Sequence, residues 1–315
     1  MENRMSGTID VRVRGRTTTV RAVTVGDITV VSMRRFPKIG EIFDECWLER
    51  SRLPPIALVI AGLRNKKGGP HIFTFAQRVP DAEPAYAYYY ELDNYAVLPV
   101  STYDEWFGRQ IPSSTRQMIR ASAKRGTVVR ASAYDDAYIE GIMSIYNEIP
   151  VRRGRQFWHF GKSFEAVKAE NETYAERSTY LAAYRGDEMI GCLKMVWDTE
   201  TASIMQLLSK ISSRDLKPNN ALLSEAVRQC CLRNVSYLLY GPFDYGNKVA
   251  DSLTRFKQSN GFSRMDVPRY YVPLTRVGAL ALRLGFHKKL AERVPEWVAA
   301  PLRDLRTKWY KRHAP

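Results

Sequence analysis

Cysteine and histidine, from which most metal and thiol sites are built, are scarce in this sequence of 315 residues. It has four cysteines and four histidines, and no group of them has the spacing of a zinc or iron–sulfur motif. No Ser/His/Asp order and no phosphate loop of the Walker type occurs either. We therefore expect no metal cofactor, and we interpret the cysteines as reduced core residues: Cys46, Cys192, Cys230 and Cys231.

Acidic residues are few relative to basic ones. The chain has 33 Asp and Glu against 48 Lys and Arg, a formal net charge of +15. A surplus of this size attracts anions such as RNA, the phosphates of a coenzyme, acidic lipid or an anionic cell-wall precursor. The alternative is a solvated basic surface that only increases solubility.

Long hydrophobic runs are also missing from the sequence. The best apolar run, from Leu53 to Leu63, is much shorter than the ~20 residues that a membrane-spanning helix needs. The first residues contain no apolar segment typical of a secretory signal. We therefore expect a cytoplasmic protein, and peripheral binding to the inner face of the membrane stays open.

The first hundred residues have the pattern of a β-rich region. Hydrophobic residues occupy every second position in stretches of residues 8–32, which predicts a β-meander. The segment Ile39–Leu48 has its apolar residues on one helical face and predicts a short helix. Further strands are predicted at Ala57–Ala61, Ile72–Gln77 and Ala85–Tyr90.

A basic helix is predicted at Ser114–Gly126. Arg116, Arg120 and Lys124 recur every four residues and share one helical face. The segment contains no acidic residue, and like charges at this spacing repel each other. The face is therefore either a binding site for an anion or a plain solvated surface.

From Thr127 onwards the pattern alternates between strand and helix. The order is strand, helix, helix, three strands, helix, strand, helix, strand. The first two of the three strands form a clear hairpin, Thr179–Tyr184 with Met189–Trp197, and the third is predicted at Ala202–Lys210. Other elements are predicted at Thr127–Ser132, Asp135–Glu148, Ser236–Tyr240, Val249–Gln258 and Arg264–Pro273.

The loop Pro150–Gly161 combines three arginines with three aromatic residues. Guanidinium groups bind carboxylates and phosphates through two parallel hydrogen bonds, so Arg152, Arg153 and Arg155 are candidates to bind the acceptor or another anion. His159 is a candidate base on a substrate-covering loop. Its alternative role is packing among its aromatic neighbours.

The order of elements over residues 127–274 resembles the GCN5-related N-acetyltransferase (GNAT) superfamily. In that family the fourth strand splays from the fifth, acyl-coenzyme A lies in the gap, and the next helix N-terminus receives the pyrophosphate. The resemblance implies a donor site formed by Leu207, Leu208, Ser209, Arg214, Lys217, Asn219 and Asn220. The family's loop usually has glycines where Lys217 and Asn219 stand here, which counts against ordinary acetyl-coenzyme A.

A second stretch, Asn247–Ala250 followed by Phe256–Phe262, resembles the family's penultimate helix. The resemblance places Asn247 in the donor site. Many members have a tyrosine near the position of Phe256 that protonates the leaving thiolate, and phenylalanine cannot donate a proton. Candidate replacements for that acid are Tyr240, Asp244 and Tyr245. The alternative is a structural turn with one buried tyrosine.

Three further segments resemble the peptidoglycan-bridge (Fem-like) branch of the superfamily. They are Ile119–Val128, Gly241–Gly246 and Phe256-Lys257. Enzymes of that branch have twin transferase domains and often take an amino acid from aminoacyl-tRNA. The resemblance implies that residues 1–100 are a degenerate half of such a twin and that tRNA is a partner. The missing glycine loop and the charge of +15 fit that donor better than a coenzyme.

The last segment, residues 276–315, has more Lys and Arg than acids and carries apolar residues at helical spacing. This composition predicts a basic amphipathic helical tail. The tail either lies on anionic lipid or docks on the protein itself.

Together these patterns predict a mixed α/β (α+β) fold with a GNAT-like central mixed sheet flanked by helices. Its parts are a β-rich region at 1–100, a transferase domain with its leading basic helix at 101–275, and the tail at 276–315. The predicted activity is transfer of an acyl or aminoacyl group from acyl-coenzyme A or aminoacyl-tRNA to an amine. The alternative is a non-catalytic binding module that uses its basic surface on RNA or an anionic membrane.

Overall fold

The computed structural model describes residues 7–13, 16–32, 36–64, 66, 68–152, 155–244 and 252–288. These residues form a mixed α/β fold, which confirms the predicted class. They fall into two compact units: unit 1 holds residues 7–94 and 265–288, and unit 2 holds residues 95–264. The predicted division at residues 100 and 275 stays a prediction. No helix among the described residues combines the length and apolar character needed to cross a membrane.

The described strands are β1 (Gly7–Val13), β2 (Arg16–Val25), β3 (Ile28–Ser32), β4 (Ile39–Ile42), β5 (Ile72–Ala76), β6 (Tyr89–Pro99), β7 (Thr127–Ser132), β8 (Val151–Arg152), β9 (Arg155–Gln156), β10 (Ser178–Arg185), β11 (Glu188–Trp197), β12 (Thr201–Ser209), β13 (Tyr237–Leu239) and β14 (Ser263–Pro273). The described helices are α1 (Ile56–Arg64), α2 (Tyr103–Glu105), α3 (Ser113–Lys124), α4 (Asp136–Tyr146), α5 (Phe164–Glu172), α6 (Pro218–Leu232), α7 (Ser252–Ser259) and α8 (Arg276–Arg283).

The sheet of unit 1 begins with an antiparallel meander. β1, β2, β3 and β4 pair in sequence order, β4 then runs parallel to β5, and β5 pairs antiparallel with β14. Helix α1 covers the sheet and buries Val59 and Leu63 in a core that includes Val30 and Phe73. The meander predicted from the alternation of residues 8–32 is confirmed.

Three predictions for unit 1 are wrong. The strand predicted at Ala85–Tyr90 begins only at Tyr89, as the start of β6. The segment predicted as a helix at Ile39–Leu48 begins with β4, where a Cβ on Gly40 would lie 2.8 Å from the side chain of Pro70. The segment predicted as a strand at Ala57–Ala61 is part of α1. A short apolar run fits either structure by periodicity alone, and burial of one face against the sheet selects the helix.

The sheet of unit 2 has the order β6, β13, β12, β11, β10, β7, and residues 95–99 of β6 belong to this unit. β12 and β13 run parallel, and the other neighbours run antiparallel. α3 and α6 pack on the face that includes Leu193 and Leu207, and α4 and α5 pack on the face that includes Ala182 and Cys192. The predicted hairpin and third strand are confirmed as β10, β11 and β12.

Candidate active site

The structure separates β12 from β13 after three residues. The two strands pair only where Thr201–Ser203 meets Tyr237–Leu239. β12 then continues to Ser209 paired with β11, with a bulge at Met205, where the register shifts by one residue. Among the described strands, none pairs with residues 204–209 on the β13 side, so the sheet opens there as a wedge. The wedge lies where the resemblance implies a donor site.

β6 holds the second wall of this wedge. Tyr240 N–H donates to Ala96 O at 2.9 Å, and Ala96 N–H donates to Gly241 O at 2.9 Å. The chain after β13 therefore stays paired with β6 instead of returning to β12. Each wall of the wedge is fixed by a strand on its outer side.

The free edge of β12 directs two sets of backbone groups into the wedge. Lys210 N–H donates to Ile190 O at 2.9 Å, and the register with β11 continues without a shift into the end of β12. Ladder bonds of an antiparallel pair involve alternate residues. The backbone of Leu208 therefore faces β11, and the backbone groups of Leu207 and Ser209 face the wedge.

The loop after β12 leads directly into α6. Arg214–Leu216 form a single 3-10 turn, and Lys217 follows in the left-handed conformation with φ 55°. Glycine adopts this conformation without a Cβ penalty, which is a physical reason for a glycine at this place in related loops. Pro218 is the first residue of α6, where a missing N–H is tolerated. Arg214 is exposed and Lys217 is half-buried.

The two asparagines in the first turn of α6 have different surroundings. Asn220 is buried, and its Nδ2 lies 3.4 Å from Asn260 Oδ1. Asn219 Oδ1 is buried and has no hydrogen-bond partner among the described residues. Buried acceptors without a partner are rare in native proteins, and they often mark a place where a ligand or water donates a hydrogen bond.

A carboxylate holds the start of the same loop. Glu148 accepts hydrogen bonds from Ile211 N–H at 2.6 Å, from Ser212 N–H at 2.8 Å and from Ser212 Oγ at 2.7 Å. Burial raises the pKa of Glu148, but these hydrogen bonds outweigh burial and hold the pKa below its usual value. The sequence reasoning did not single out this residue.

Arg152 connects that carboxylate to the end of β12. Its Nη2 lies 3.4 Å from Glu148 Oε2 and donates to Ile145 O at 2.6 Å, while Nη1 donates to Ser209 O at 3.1 Å. The guanidinium also lies 4.2 Å from the ring centroid of Phe157. The predicted anion-binding arginine is thus occupied by groups of the protein itself.

The basic helix α3 contacts the loop through its C-terminal end. Arg125 Nη1 donates to Asp215 O, and Thr127 Oγ1 donates to Leu216 O at 3.4 Å. Arg125 directly follows the predicted stripe of cations in the sequence and was missed because it lies off their common face.

The three cations of the predicted stripe have different contacts. Arg116 donates to carbonyl oxygens of the turn before α3, including Gly108 O at 2.9 Å. The guanidinium of Arg120 lies 5.3 Å from the ring centroid of Phe107, and Lys124 is exposed. Two of the three cations therefore contact neighbouring parts of unit 2.

The candidate acids lie directly after β13. Tyr240 packs beside Phe262 with ring centroids 6.0 Å apart. The Asp244 carboxylate lies 3.2 Å from Arg264 Nη1 and 3.4 Å from Thr254 Oγ1. Tyr245, Asn247 and Arg153 lie outside the described residues, and Arg155 is described only as part of the backbone of β9.

A buried lysine lies beside these candidates. Lys257 on α7 is fully buried, donates from Nζ to Pro242 O, and lies 4.8 Å from the ring centroid of Tyr240. It therefore fixes the segment that carries Tyr240 and Asp244. The Phe256-Lys257 pair in the sequence was the signal for it.

His159 is buried in the aromatic loop. Its ring centroid lies 3.6 Å from that of Trp158 and 4.1 Å from that of Tyr146. Burial, and then the charges of Lys162 and Arg152, lower the pKa of His159 to about 3. The ring is therefore neutral near pH 7 and weak as a base, which favours the packing role.

Lys194 is a second buried cation that the sequence reasoning missed. It lies in the middle of β11, is 1% exposed, and donates to Asn171 O at 2.8 Å and to Thr173 Oγ1 at 3.2 Å. Burial lowers the pKa of Lys194 from 10.5 to about 8. A single charged residue within an apolar strand was the available signal.

Comparisons with known proteins agree with the fold of unit 2. Residues 111–258 match the sequence model of a family described as an acetyltransferase (GNAT) domain. No curated protein sequence matches the chain. Among solved structures, FemX matches with a TM-score of 0.52 and 10% identity, over 89% of this chain and 90% of that chain.

Two further solved structures match at a similar level. The C-terminal domain of a putative lysylphosphatidylglycerol synthetase from Agrobacterium fabrum has a TM-score of 0.53 and 9% identity, over 84% of this chain and 87% of that chain. L-PGS from Bacillus licheniformis has a TM-score of 0.54 and 12% identity, over 84% and 88%. At these identities the likeness shows a shared fold. Residues 111–258 are therefore similar to an acetyltransferase (GNAT) domain, within a fold that the chain shares with FemX.

Proposed function

We propose that this chain is a transferase that moves an acyl or aminoacyl group from an activated donor to an amine. The observation that carries the proposal is the wedge, where β12 leaves β13 after Ser203 and directs the backbone of Leu207 and Ser209 into the gap. N–H groups at a free strand edge bind a carbonyl oxygen as a neighbouring strand would. The GNAT domain supports acyl transfer as the reaction class.

In the proposed reaction an uncharged amine attacks the carbonyl carbon of the donor. A C–N bond forms, and the N–H of Leu207 or Ser209 stabilises the negative charge that develops on the carbonyl oxygen. The bond to the leaving sulfur or oxygen then breaks, and a side chain donates a proton to the leaving atom. The proton that the amine loses then returns to that side chain. The proposed proton donors are Tyr240, Asp244 and Tyr245. Lys257 positions their segment through Pro242.

The loop at residues 210–217 favours aminoacyl-tRNA over acyl-coenzyme A as the donor. Glu148 already accepts hydrogen bonds from the N–H groups of Ile211 and Ser212, so these groups are not available to a pyrophosphate. Lys217 and Asn219 add side chains where the family's backbone approaches phosphate. A charge of +15 suits a polyanion. Acyl-coenzyme A is the alternative donor.

The acceptor and the partners follow the same reasoning. Arg153 and Arg155 are proposed to bind an acidic group of the amine acceptor, because Arg152 is occupied within the fold. Segment 276–315 is proposed to hold the protein on an anionic membrane. One structural neighbour is named for lysylphosphatidylglycerol, an aminoacylated lipid by its name, which fits an aminoacyl donor acting near a membrane.

Thermal unfolding of the full chain with acetyl-coenzyme A, and separately with tRNA, tests the donor. A ligand at about 100 times its Kd stabilises the folded state by about 2.7 kcal/mol. Transfer is measured as enzyme-dependent loss of labelled amino acid from aminoacyl-tRNA in the presence of a small amine. Lys257→Met should abolish transfer, and Lys168→Met, at a side chain that is 38% exposed, should not change it.

The second candidate is a non-catalytic binding module. Two features of the sequence favour it. Phe256 cannot donate a proton, and Lys217 and Asn219 stand where the family usually has glycines. Stabilisation by tRNA with no loss of the aminoacyl ester at any amine concentration would support this candidate. Stabilisation by neither ligand, with no transfer, would contradict the donor site in the wedge.

A further inference from the structure

We propose that unit 1 carries a binding site for the phosphate of an anionic phospholipid, in a cavity between the start of α8 and the loop that precedes β5. In this proposal α8 lies at the membrane surface and the cavity receives a headgroup. The proposal rests on the membrane contact proposed above for segment 276–315, to which α8 belongs, and it adds a specific site for the phosphate. The site does not include the wedge in unit 2, and its test measures binding without acyl transfer.

The cavity has a volume of about 180 Å³ and a positively charged lining. Lys38 precedes β4, Arg64 ends α1, and Lys66 and His71 lie in the loop before β5. None of the described residues that line the cavity is acidic, and the sequence has no acidic residue between Glu49 and Asp81. A concave site lined by charge of one sign concentrates counter-ions, here anions.

The loop positions its polar groups around this space. Lys38 Nζ donates to Gly68 O at 3.2 Å, and Lys38 N–H donates to His71 Nδ1 at 3.2 Å. Because Nδ1 accepts this bond, the neutral ring carries its proton on Nε2 and has a hydrogen bond to donate. Gly68 has φ 77°, and a Cβ there would meet nothing within 4 Å, so the rim beside Lys66 is open.

The N-terminus of α8 completes the cavity. Thr275 lines it and caps the helix, with Oγ1 accepting from Gly278 N–H at 3.0 Å. The first-turn N–H groups of a helix carry partial positive charge and favour an anion. The cap leaves the N–H groups of Arg276 and Val277 at the end of the helix without an intrahelical acceptor.

Helix α8 also exposes a stripe of apolar side chains. Val277, Leu280 and Leu284 are 44%, 60% and 56% exposed, and their spacing of three and four residues places them on one face. Arg276 and Arg283, seven residues apart, form a neighbouring cationic stripe. No acidic residue occurs between Asp266 and Glu292 in the sequence.

Close packing holds this helix in unit 1 from its opposite side. Gly278 and Ala281 are buried, and a Cβ on Gly278 would lie 1.9 Å from His71 O. The contact brings the backbone of α8 directly against the loop that lines the cavity. The helix is therefore fixed with its stripe of Val277, Leu280 and Leu284 exposed to solvent.

An anionic phospholipid bilayer accounts for both features together. Its phosphate fits the cationic cavity, and its acyl region accepts the stripe of Val277, Leu280 and Leu284. The arginines beside the stripe have the length to reach headgroups. A soluble phosphate or RNA would fit the cavity, but neither gives the exposed leucines a partner.

Vesicle co-sedimentation with the full chain tests the site. Wild-type protein should bind phosphatidylcholine vesicles that contain phosphatidylglycerol, and should not bind phosphatidylcholine alone. Lys38→Gln and Arg64→Gln should each lower the partition coefficient about fivefold, and Leu280→Ser should lower it by a similar factor. Matched controls are Arg21→Gln on β2 and Leu232→Ser on α6, which are both exposed and should bind as wild type.

Four outcomes would overturn the proposal. The first is that wild-type protein does not bind vesicles that contain phosphatidylglycerol. The second is that Lys38→Gln and Arg64→Gln bind these vesicles as well as wild type does. The third is that Arg21→Gln loses as much vesicle binding as the cavity variants. The fourth is loss of tRNA binding by the cavity variants with vesicle binding unchanged. Thermal unfolding of each variant shows that the fold is retained. Inorganic phosphate that stabilises the protein without vesicle binding would indicate a site for a soluble phosphate instead.

Discussion

Replacing Glu148 tests the loop that joins β12 to α6. Its carboxylate is 15% exposed, accepts three hydrogen bonds from Ile211 and Ser212, and lies 3.4 Å from Arg152 Nη2. Glu148→Gln keeps the size of the side chain but removes the charge and one acceptor oxygen. At least one donor of the loop then faces an NH2 group that cannot accept, so we expect the loop to lose its fixed position.

The magnitude follows from those contacts. A hydrogen bond to a charged group contributes about 1.5–3 kcal/mol. Because the glutamine amide keeps some of the hydrogen bonds of the carboxylate, Glu148→Gln should lower the free energy of unfolding by about 2 kcal/mol. Glu148→Ala also leaves Arg152, which is 11% exposed, without its carboxylate. Loss of one partner of a buried pair costs about 3–5 kcal/mol.

The effect should also depend on pH. The pKa of Glu148 is lower in the folded state, so its stabilisation is fully present above the unfolded pKa of about 4.3. The stabilisation is lost as pH falls through the lower folded pKa. The difference in unfolding free energy between wild type and Glu148→Gln should therefore narrow in acid.

Urea unfolding at neutral and acid pH measures both effects, and thermal unfolding with tRNA measures the effect on the donor site. Glu140→Gln, on the exposed face of α4 and eight residues before Glu148, is the matched control and should lie within about 0.5 kcal/mol of wild type. If Glu148→Gln unfolds at the same urea concentration as Glu140→Gln, the carboxylate does not hold the loop. A difference from wild type that does not change with pH would refute the same reasoning.

Three further changes test other parts of the structure. Gly278→Ala forces a Cβ to 1.9 Å from His71 O, so unfolding free energy should fall by about 2 kcal/mol or more in urea, whereas the exposed Ala279→Ser should be neutral. Lys194 has a pKa lowered from 10.5 to about 8, so the unfolded chain binds more protons between these values. Wild-type stability should then rise relative to Lys194→Met by up to ~3 kcal/mol across this range in thermal unfolding, and a constant difference would contradict the shift. Glycine adopts φ 55° without strain, so Lys217→Gly should change the free energy of unfolding by no more than about 1 kcal/mol. The variant should bind tRNA more weakly and coenzyme A more tightly than wild type at equilibrium. Unchanged binding of both ligands would show that Lys217 is not part of the site.

The sequence predicts the sheet of unit 2 better than that of unit 1. β10, β11 and β12 are long and are separated by clear turn residues, so their periodicity identifies them. α1 and β4 are short apolar segments whose periodicity fits both helix and strand. Their true structure depends on contacts with other segments, such as the close approach of Gly40 and Pro70.

The candidate site divides in the same way. The family resemblance, carried by Arg214, Lys217 and Asn219 after the third strand, locates the start of α6 correctly. Glu148 and Arg125 contact that loop from 63 and 90 residues away in the sequence. No local pattern reports such contacts, because they depend on how helices pack across the sheet.

If the wedge binds the donor as proposed, the loop and not the strands should set donor affinity. β12 is held by β11 up to Ser209, and the chain after β13 is held by β6 through Tyr240 and Gly241. A donor would therefore break no ladder bond on entry, and each such bond would otherwise oppose binding by about 0.5–1.5 kcal/mol. The backbone edge offers the same N–H groups to any carbonyl donor, so it cannot select between thioester and ester. Selection between donors must therefore come from the polar groups of the loop between β12 and α6. A pyrophosphate needs open backbone there, but Lys217 and Asn219 add side chains and the carboxylate of Glu148 already accepts a backbone hydrogen bond.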